Sequence, residues 1–199
     1  LTTSSFMVLS MIALAGMMVG VIHPAASIVR EKERGTLEQL LVAPISTFQL
    51  FLAKIAPTMI IGLLAVFPSL LIVRAFDVPM RGSLALFLIL TGFFLLSAVA
   101  LGVLIAAYSR TLQQALLLSF FGLFPVMFLS GTLTPVEAMP DVLQALSRLS
   151  PLRYYMDIII GVFLKGVGWR DLWDESLCLI AIAIPMLILS LGIFRRRLQ

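Results

Sequence analysis

The chain has 199 residues, of which 61% are hydrophobic and only 12% charged, with a net charge of +4. A soluble domain is about 45–50% apolar and about 25% charged, so this composition excludes an ordinary soluble fold and points to the bilayer as solvent. The basic residues form no patch interleaved with aromatics, which argues against a nucleic-acid partner, and the single cysteine, Cys178, allows neither an internal disulfide nor a cysteine metal cluster.

A membrane-spanning helix needs roughly 20 mostly apolar residues, and several runs of that length occur. None alternates with period two. In lipid every backbone group must bond internally, so the runs are expected to be helices. The first span is expected over 6–29. It is too long for a cleaved signal peptide and lacks a basic leader. Gly16 and Gly20, four apart, suit close helix packing within the chain, with dimerisation the lesser alternative. His23-Pro24 reads as a kinked helix end with a locally bonded imidazole rather than a proton relay.

An unbroken run of charge, Arg30 to Arg34, follows directly and cannot lie in hydrocarbon. Gly35 suits a left-handed helix stop. Thr36 with Gln39 fits a capping box, and Leu37, Leu40 and Leu41 share one face of a two-turn helix that Pro44 ends. A short amphipathic helix over 36–43 is therefore expected, and on these grounds a passive interfacial helix fits it as well as a docking element. Ser46 with Gln49 forms a second capping box and opens the second span, 48–73, in which Pro57 and Pro68 are kink sites. The third span is expected over 83–107 and the fourth over 112–130, joined by a tight turn at Tyr108-Ser109-Arg110-Thr111.

Residues 131–170 are less regular. Thr134-Pro135-Val136-Glu137 fits a capping box with proline at the first helical position. Asp141 is expected to cap a short helix carrying Val142, Leu143, Leu146 and Leu149, ended by Ser150-Pro151. An apolar segment from Tyr154 to Leu164 is too short to span. Two short helices, re-entrant or interfacial, are expected on the outer side, with a fifth span over 172–194. The terminal Arg195-Arg196-Arg197 places the C-terminus in the cytoplasm by the positive-inside rule. Counting back puts the 30–49 elbow and the 108–111 turn on the same inner side. The whole, 1–199, reads as one all-α transmembrane domain.

The catalytic possibilities are few. There is no G-x-x-x-x-G-K-[ST] phosphate loop, no H-E-x-x-H and no G-x-S-x-G. Charges fall almost entirely outside the spans, so an intramembrane enzyme has little to work with.

Two segments carry a resemblance. Residues 31–45, Glu-Lys-Glu-Arg-Gly-Thr-Leu-Glu-Gln-Leu-Leu-Val-Ala-Pro-Ile, closely resemble the E-x-E-x-G-T-L-E-x-L-L-x-x-P signature of ABC type-2 transporter permeases. Ser130-Gly131-Thr132-Leu133-Thr134-Pro135, Met139-Pro140 and Ser150-Pro151-Leu152-Arg153-Tyr154 resemble the outer re-entrant region of the same family, most like bacterial multidrug-export members. The resemblance implies that the elbow is a coupling helix seated on a separate ATP-binding-cassette ATPase subunit. Glu31, Lys32, Glu33, Arg34, Gly35, Thr36, Leu37, Glu38, Leu40 and Leu41 would make that contact. Gly131, Pro135, Pro140, Pro151 and Tyr154 would belong to an outer gate. It further implies no cofactor on this chain, with ATP and Mg on the partner, pairing with a second permease chain as homo- or heterodimer, surrounding membrane lipid, and a multi-pass location in the bacterial inner membrane. The function implied is efflux of a lipophilic substrate driven by the partner's ATP hydrolysis. Such permeases have a further span and a large outer domain ahead of the segment matched here. The chain is therefore expected to be the C-terminal portion of such a protein, and a non-transporting scaffold that binds a partner is the alternative. Family members often carry an arginine near Ile160, where this chain is apolar.

Overall fold

A computed structural model describes residues 3–36, 46–132 and 136–198. Eight α-helices follow in order: α1 Thr3–Glu33, α2 Thr47–Leu64, α3 Val66–Ala75, α4 Leu84–Tyr108, α5 Leu112–Leu129, α6 Asp141–Ser147, α7 Pro151–Ile160 and α8 Trp173–Leu198. A single 3-10 turn, Val136–Ala138, precedes α6, and a π-helical turn, Gly161–Lys165, extends α7. There is no strand among the described residues. Among the described residues, five helical stretches are long and apolar enough to cross a membrane: Ser4–Glu33, Thr47–Ala75, Leu84–Tyr108, Leu112–Leu129 and Trp173–Arg196. The chain is an all-α membrane protein.

α4 is the hub. Its sequence is apolar on every side, the pattern of a helix surrounded by others. Of its most apolar stretch 56% is buried, against 17% for α5 and 22% for α8. α1 and α8 pack along it most extensively, and α7 adds to both. The α1–α4 crossing is close because small residues face each other there. A Cβ added at Gly20 would lie 2.6 Å from the Ala98 Cβ, and one at Gly102 would lie 2.3 Å from the Val21 carbonyl oxygen. Gly16 and Gly20 thus serve packing within the chain, Gly16 against Phe94 and Gly20 against Ala98.

Buried side chains fall into two clusters. One runs from the middle of the bundle to one end and includes Phe87, Phe94, Leu152, Tyr155, Ile159 and Phe163. The other joins Ile28, Leu50, Phe51, Val103, Ala115 and Phe194 at the opposite end. This second cluster gathers the end of α1, the start of α2, the α4–α5 turn and the last turns of α8 on one side, as the span count requires.

Several local expectations are revised. Pro24 does not end the first helix: α1 runs unbroken past it and carries the charges in its last turn through Glu33, ahead of the turn at Gly35. The His23 imidazole is bonded across helices rather than locally, with Nδ1 2.8 Å from Thr58 Oγ1 on α2. The second span is two helices, broken at Ala65. Pro68 explains the break, since its ring crowds the carbonyl four residues back, at Leu64, and it offers no N–H to that turn. The Ser69 hydroxyl donates to the Ala65 carbonyl (2.8 Å) beside the break. Asp141 does not cap α6. Pro140 occupies the N-cap without a side-chain bond, and Asp141 is the first helical residue, where its charge still suits the helix N-terminus. The Ser46–Gln49 capping box forms with both reciprocal bonds, Gln49 N–H to Ser46 Oγ (3.2 Å) and Ser46 N–H to Gln49 Oε1 (3.0 Å).

Candidate functional site

The elbow begins as the last turn of α1. Glu31 Oε1 accepts from Lys54 Nζ on α2 at 2.5 Å, with only 14% of the lysine side chain and 28% of the glutamate exposed. Lys32 Nζ donates to the carbonyl oxygens of Ala106 (2.5 Å) and Ser109 (3.5 Å), at the C-terminal end of α4. Glu33 Oε1 accepts from the Leu112 backbone N–H (2.8 Å), the first residue of α5. Each of these backbone groups is one that a helix leaves without an internal partner at its end, and each carries the sign that the side chain complements. Arg30 and Arg34 are exposed. Gly35 takes φ 68°, where a residue with a Cβ is strained, and this turns the chain out of α1. Thr36 Oγ1 donates back to the Glu31 carbonyl (3.3 Å). Leu37, Glu38, Gln39, Leu40, Leu41 and Pro44, and with them the body of the expected 36–43 helix, lie outside the described residues.

At the opposite end the two short helices expected on the outer side differ. α6 lies at the surface, with Val142 71%, Leu146 45% and Leu149 69% exposed. α7 is inserted in the bundle, with Leu152, Tyr155, Ile158 and Ile159 buried. Pro151 stands at its first turn, where a missing N–H costs nothing. The Tyr155 ring stacks on Phe94 of α4 at 3.9 Å between centroids and 3° between planes. Its hydroxyl lies 2.9 Å from Thr91 Oγ1, which itself donates to the Phe87 carbonyl (2.7 Å). The tyrosine is therefore the donor of that pair. The carbonyls at the π turn accept from the link between α3 and α4, Arg81 N–H to Phe163 (3.3 Å) and Gly82 N–H to Val162 (2.8 Å).

The end of α5 is closed by hydroxyls. Ser130 Oγ (2.6 Å) and Thr132 Oγ1 (3.2 Å) both donate to the Met127 carbonyl, and Ser150 Oγ donates to that of Val126 (3.3 Å). Gly131 turns the chain there at φ 81°. The Tyr154 hydroxyl donates to the Arg148 carbonyl (2.9 Å), and Arg153 Nη1 donates to Ser147 Oγ. Burial, reinforced by the neighbouring Cys178, raises the Tyr154 phenol above its ordinary range. Gly131 thus follows α5, Pro140 is the N-cap of α6, and Pro151 and Tyr154 lie in the first turn of α7. Pro135, and the Thr134 capping box, lie outside the described residues.

A family model described as ABC-2 family transporter protein matches residues 1–191. The chain belongs to the ABC-2 transporter family. Among curated proteins it is 36% identical over 98% of its length to the probable multidrug ABC transporter permease YbhR of Escherichia coli. To the inner membrane transport permease YhhJ of the same organism it is 29% identical over 90%. To the probable multidrug ABC transporter permease YbhS it is 33% identical over 91%. The chain spans about half the length of these relatives, 53% of YbhR and 48% of the other two.

Within this ABC-2 chain the sequence reading located the charged turn but not what it touches. Lys54 reads as a stray charge at the start of a span, and the partners of Lys32 and Glu33 are backbone groups, which no side-chain pattern announces. The Phe94–Tyr155–Thr91 contact was equally missed. Tyr155 sits beside the flagged Tyr154, and only helical periodicity, placing the two on different faces of α7, distinguishes them.

Proposed function

We propose that this chain is the membrane-spanning part of an ABC exporter permease subunit, driven by ATP hydrolysis on a separate ATPase subunit with ATP and Mg. The observation that carries the reading is the elbow. A family-matched chain without a phosphate loop carries, between its first two spans, a charged turn, Arg30 to Arg34, followed by the Gly35-Thr36-Leu37 stretch and an apolar Leu37, Leu40, Leu41 face. The elbow, the α4–α5 turn and the arginine-rich end of α8 share one side. The basic excess there supports a cytoplasmic assignment and an inner-membrane location. The relatives' permease names support transport, and "multidrug" in two of them supports a lipophilic cargo. A second permease chain completes the transporter in this reading, and α6, α7 and the α5 end, with Gly131, Pro135, Pro140, Pro151 and Tyr154, form its outer gate.

The test is made on the full-length protein, co-expressed with its ATPase subunit and reconstituted in proteoliposomes. Leu40→Asp with Leu41→Asp is expected to abolish co-purification of the ATPase subunit and ATP-dependent extrusion of a lipophilic dye, while the permease still reaches the membrane. Undiminished co-purification would overturn the docking assignment. Absence of ATP-dependent dye movement by the parent complex would overturn the choice of cargo.

A further inference from the structure

Three consecutive side chains at the end of α1 each end on a different element of their own chain. Successive helical residues are about 100° apart around the axis, so three in a row sweep about 200° and address three neighbours at once. Glu31 meets Lys54 of α2, Lys32 meets the carbonyls closing α4, and Glu33 meets the N–H opening α5. The order matters. α4 and α5 form a hairpin, so the negative end of one dipole stands beside the positive end of the other, separated only by the turn Ser109 to Thr111. Lysine followed by glutamate matches that juxtaposition, and glutamate followed by lysine would oppose both ends.

We propose that Glu31, Lys32 and Glu33 are positioning residues that read their own chain rather than a partner's charges, and that they make the end of α1, the start of α2 and the α4–α5 turn move as one body. Displacement of the elbow is then passed to four helices together instead of being absorbed at the hinge of Gly35. Arg30 and Arg34 are exposed, as is Glu33, whose Oε1 is nonetheless held by the Leu112 N–H. The apolar cluster beneath, with Ile28, Leu50, Phe51, Val103 and Ala115, gives the junction a packed floor. The consequence for ATP-driven motion rests on the coupling reading above, whereas the junction itself does not.

The experiment uses the full-length protein with its ATPase subunit in nanodiscs, stripped of native cysteines, Cys178→Ser included. Spin labels are placed through Arg34→Cys and Arg110→Cys, at exposed positions on the two sides of the junction. A second pair, Arg34→Cys with Leu149→Cys, reports the inner end against the outer. The expected result is a narrow Arg34–Arg110 distance that is the same before and after trapping with ATP, Mg and vanadate. Glu31→Lys is expected to broaden it, and adding Lys54→Glu to restore it. Lys32→Glu with Glu33→Lys, which keeps the net charge, is expected to broaden it without rescue. An inner distance that shifts on trapping in the parent, or one indifferent to the Lys32–Glu33 exchange, overturns the junction. If Glu31→Lys fails to assemble, Glu31→Gln provides the same comparison, and a width equal to the parent's overturns the role of that residue. An unchanged Arg34–Leu149 distance on trapping would instead count against the coupling reading and leave the junction standing.

Discussion

The two ends of this bundle are held by opposite means. At the elbow end, adjacent charged side chains reach Lys54 and the termini of neighbouring helices, over a modest apolar floor. At the opposite end, α7 is buried in the bundle, held by stacked and edge-on aromatic rings and by the bond between the Tyr155 and Thr91 hydroxyls. Phe94 with Tyr155 and Phe87 with Phe163 are the ring pairs. Exposure explains the difference. The elbow turn is exposed or half-buried, so charge can be used and is cheap to rearrange. α7 lies among apolar side chains, where an unpaired polar group costs several kcal/mol and apolar packing supplies most of the hold. An end held by charge can be re-specified by exchanging charges, whereas an end held by packing can only be weakened.

The sharpest way to break this contrast is at the α7 end. Tyr155→Ala removes a fully buried ring from Phe94 and is expected to cost about 3–5 kcal/mol, read as a large fall in the thermal midpoint of the purified protein. A small shift would show that α7 is not held by packing. Next is Gly102→Val at the α1–α4 crossing, where even a Cβ would sit 2.3 Å from the Val21 carbonyl oxygen. Overpacking of this kind costs about 1–3 kcal/mol or more, and the fall is expected to exceed that of Gly92→Val on the same helix, where an added Cβ meets nothing within 4 Å.

Smaller effects separate the polar contributions. Tyr155→Phe keeps the ring and deletes only the donor to Thr91, at an expected cost of about 1 kcal/mol. A loss equal to that of Tyr155→Ala would mean that the hydroxyl, not the stack, holds α7. Ser46→Ala removes half of the capping box that opens α2 and is expected to cost about 1 kcal/mol, seen as faster amide exchange confined to the first turn. The smallest effect is expected from Glu33→Gln, which retains an acceptor for the Leu112 N–H but loses the charge at the α5 N-terminus. About 0.3–1 kcal/mol is expected, shrinking as salt is raised; a salt-independent loss would point away from the helix-end electrostatics.

Much of the architecture was legible because hydrocarbon permits few solutions. Long apolar runs must be helices. The Ser46–Gln49 box and the turn at Gly35 were legible because both are local chemistry between residues a few positions apart. The break at Ala65 was half legible. Pro68 marks the region, but the interruption falls a turn earlier, at the carbonyl the ring crowds. Asp141 was misplaced by one residue because Pro140 already holds the extended backbone that a cap requires.

What the sequence by itself determined is therefore a bundle of spanning helices, a charged exit required by the cost of burying Arg30 to Arg34, and membership of a family that shares that exit. Only the tertiary structure decided that α4 is the centre, that α7 is inserted while α6 lies on the surface, and that Glu31, Lys32 and Glu33 are engaged by Lys54, Ala106 and Leu112. These are contacts between residues 23, 74 and 79 positions apart. Their partners include backbone groups that every residue possesses, so no pattern of side chains distinguishes them until packing brings particular helix ends together.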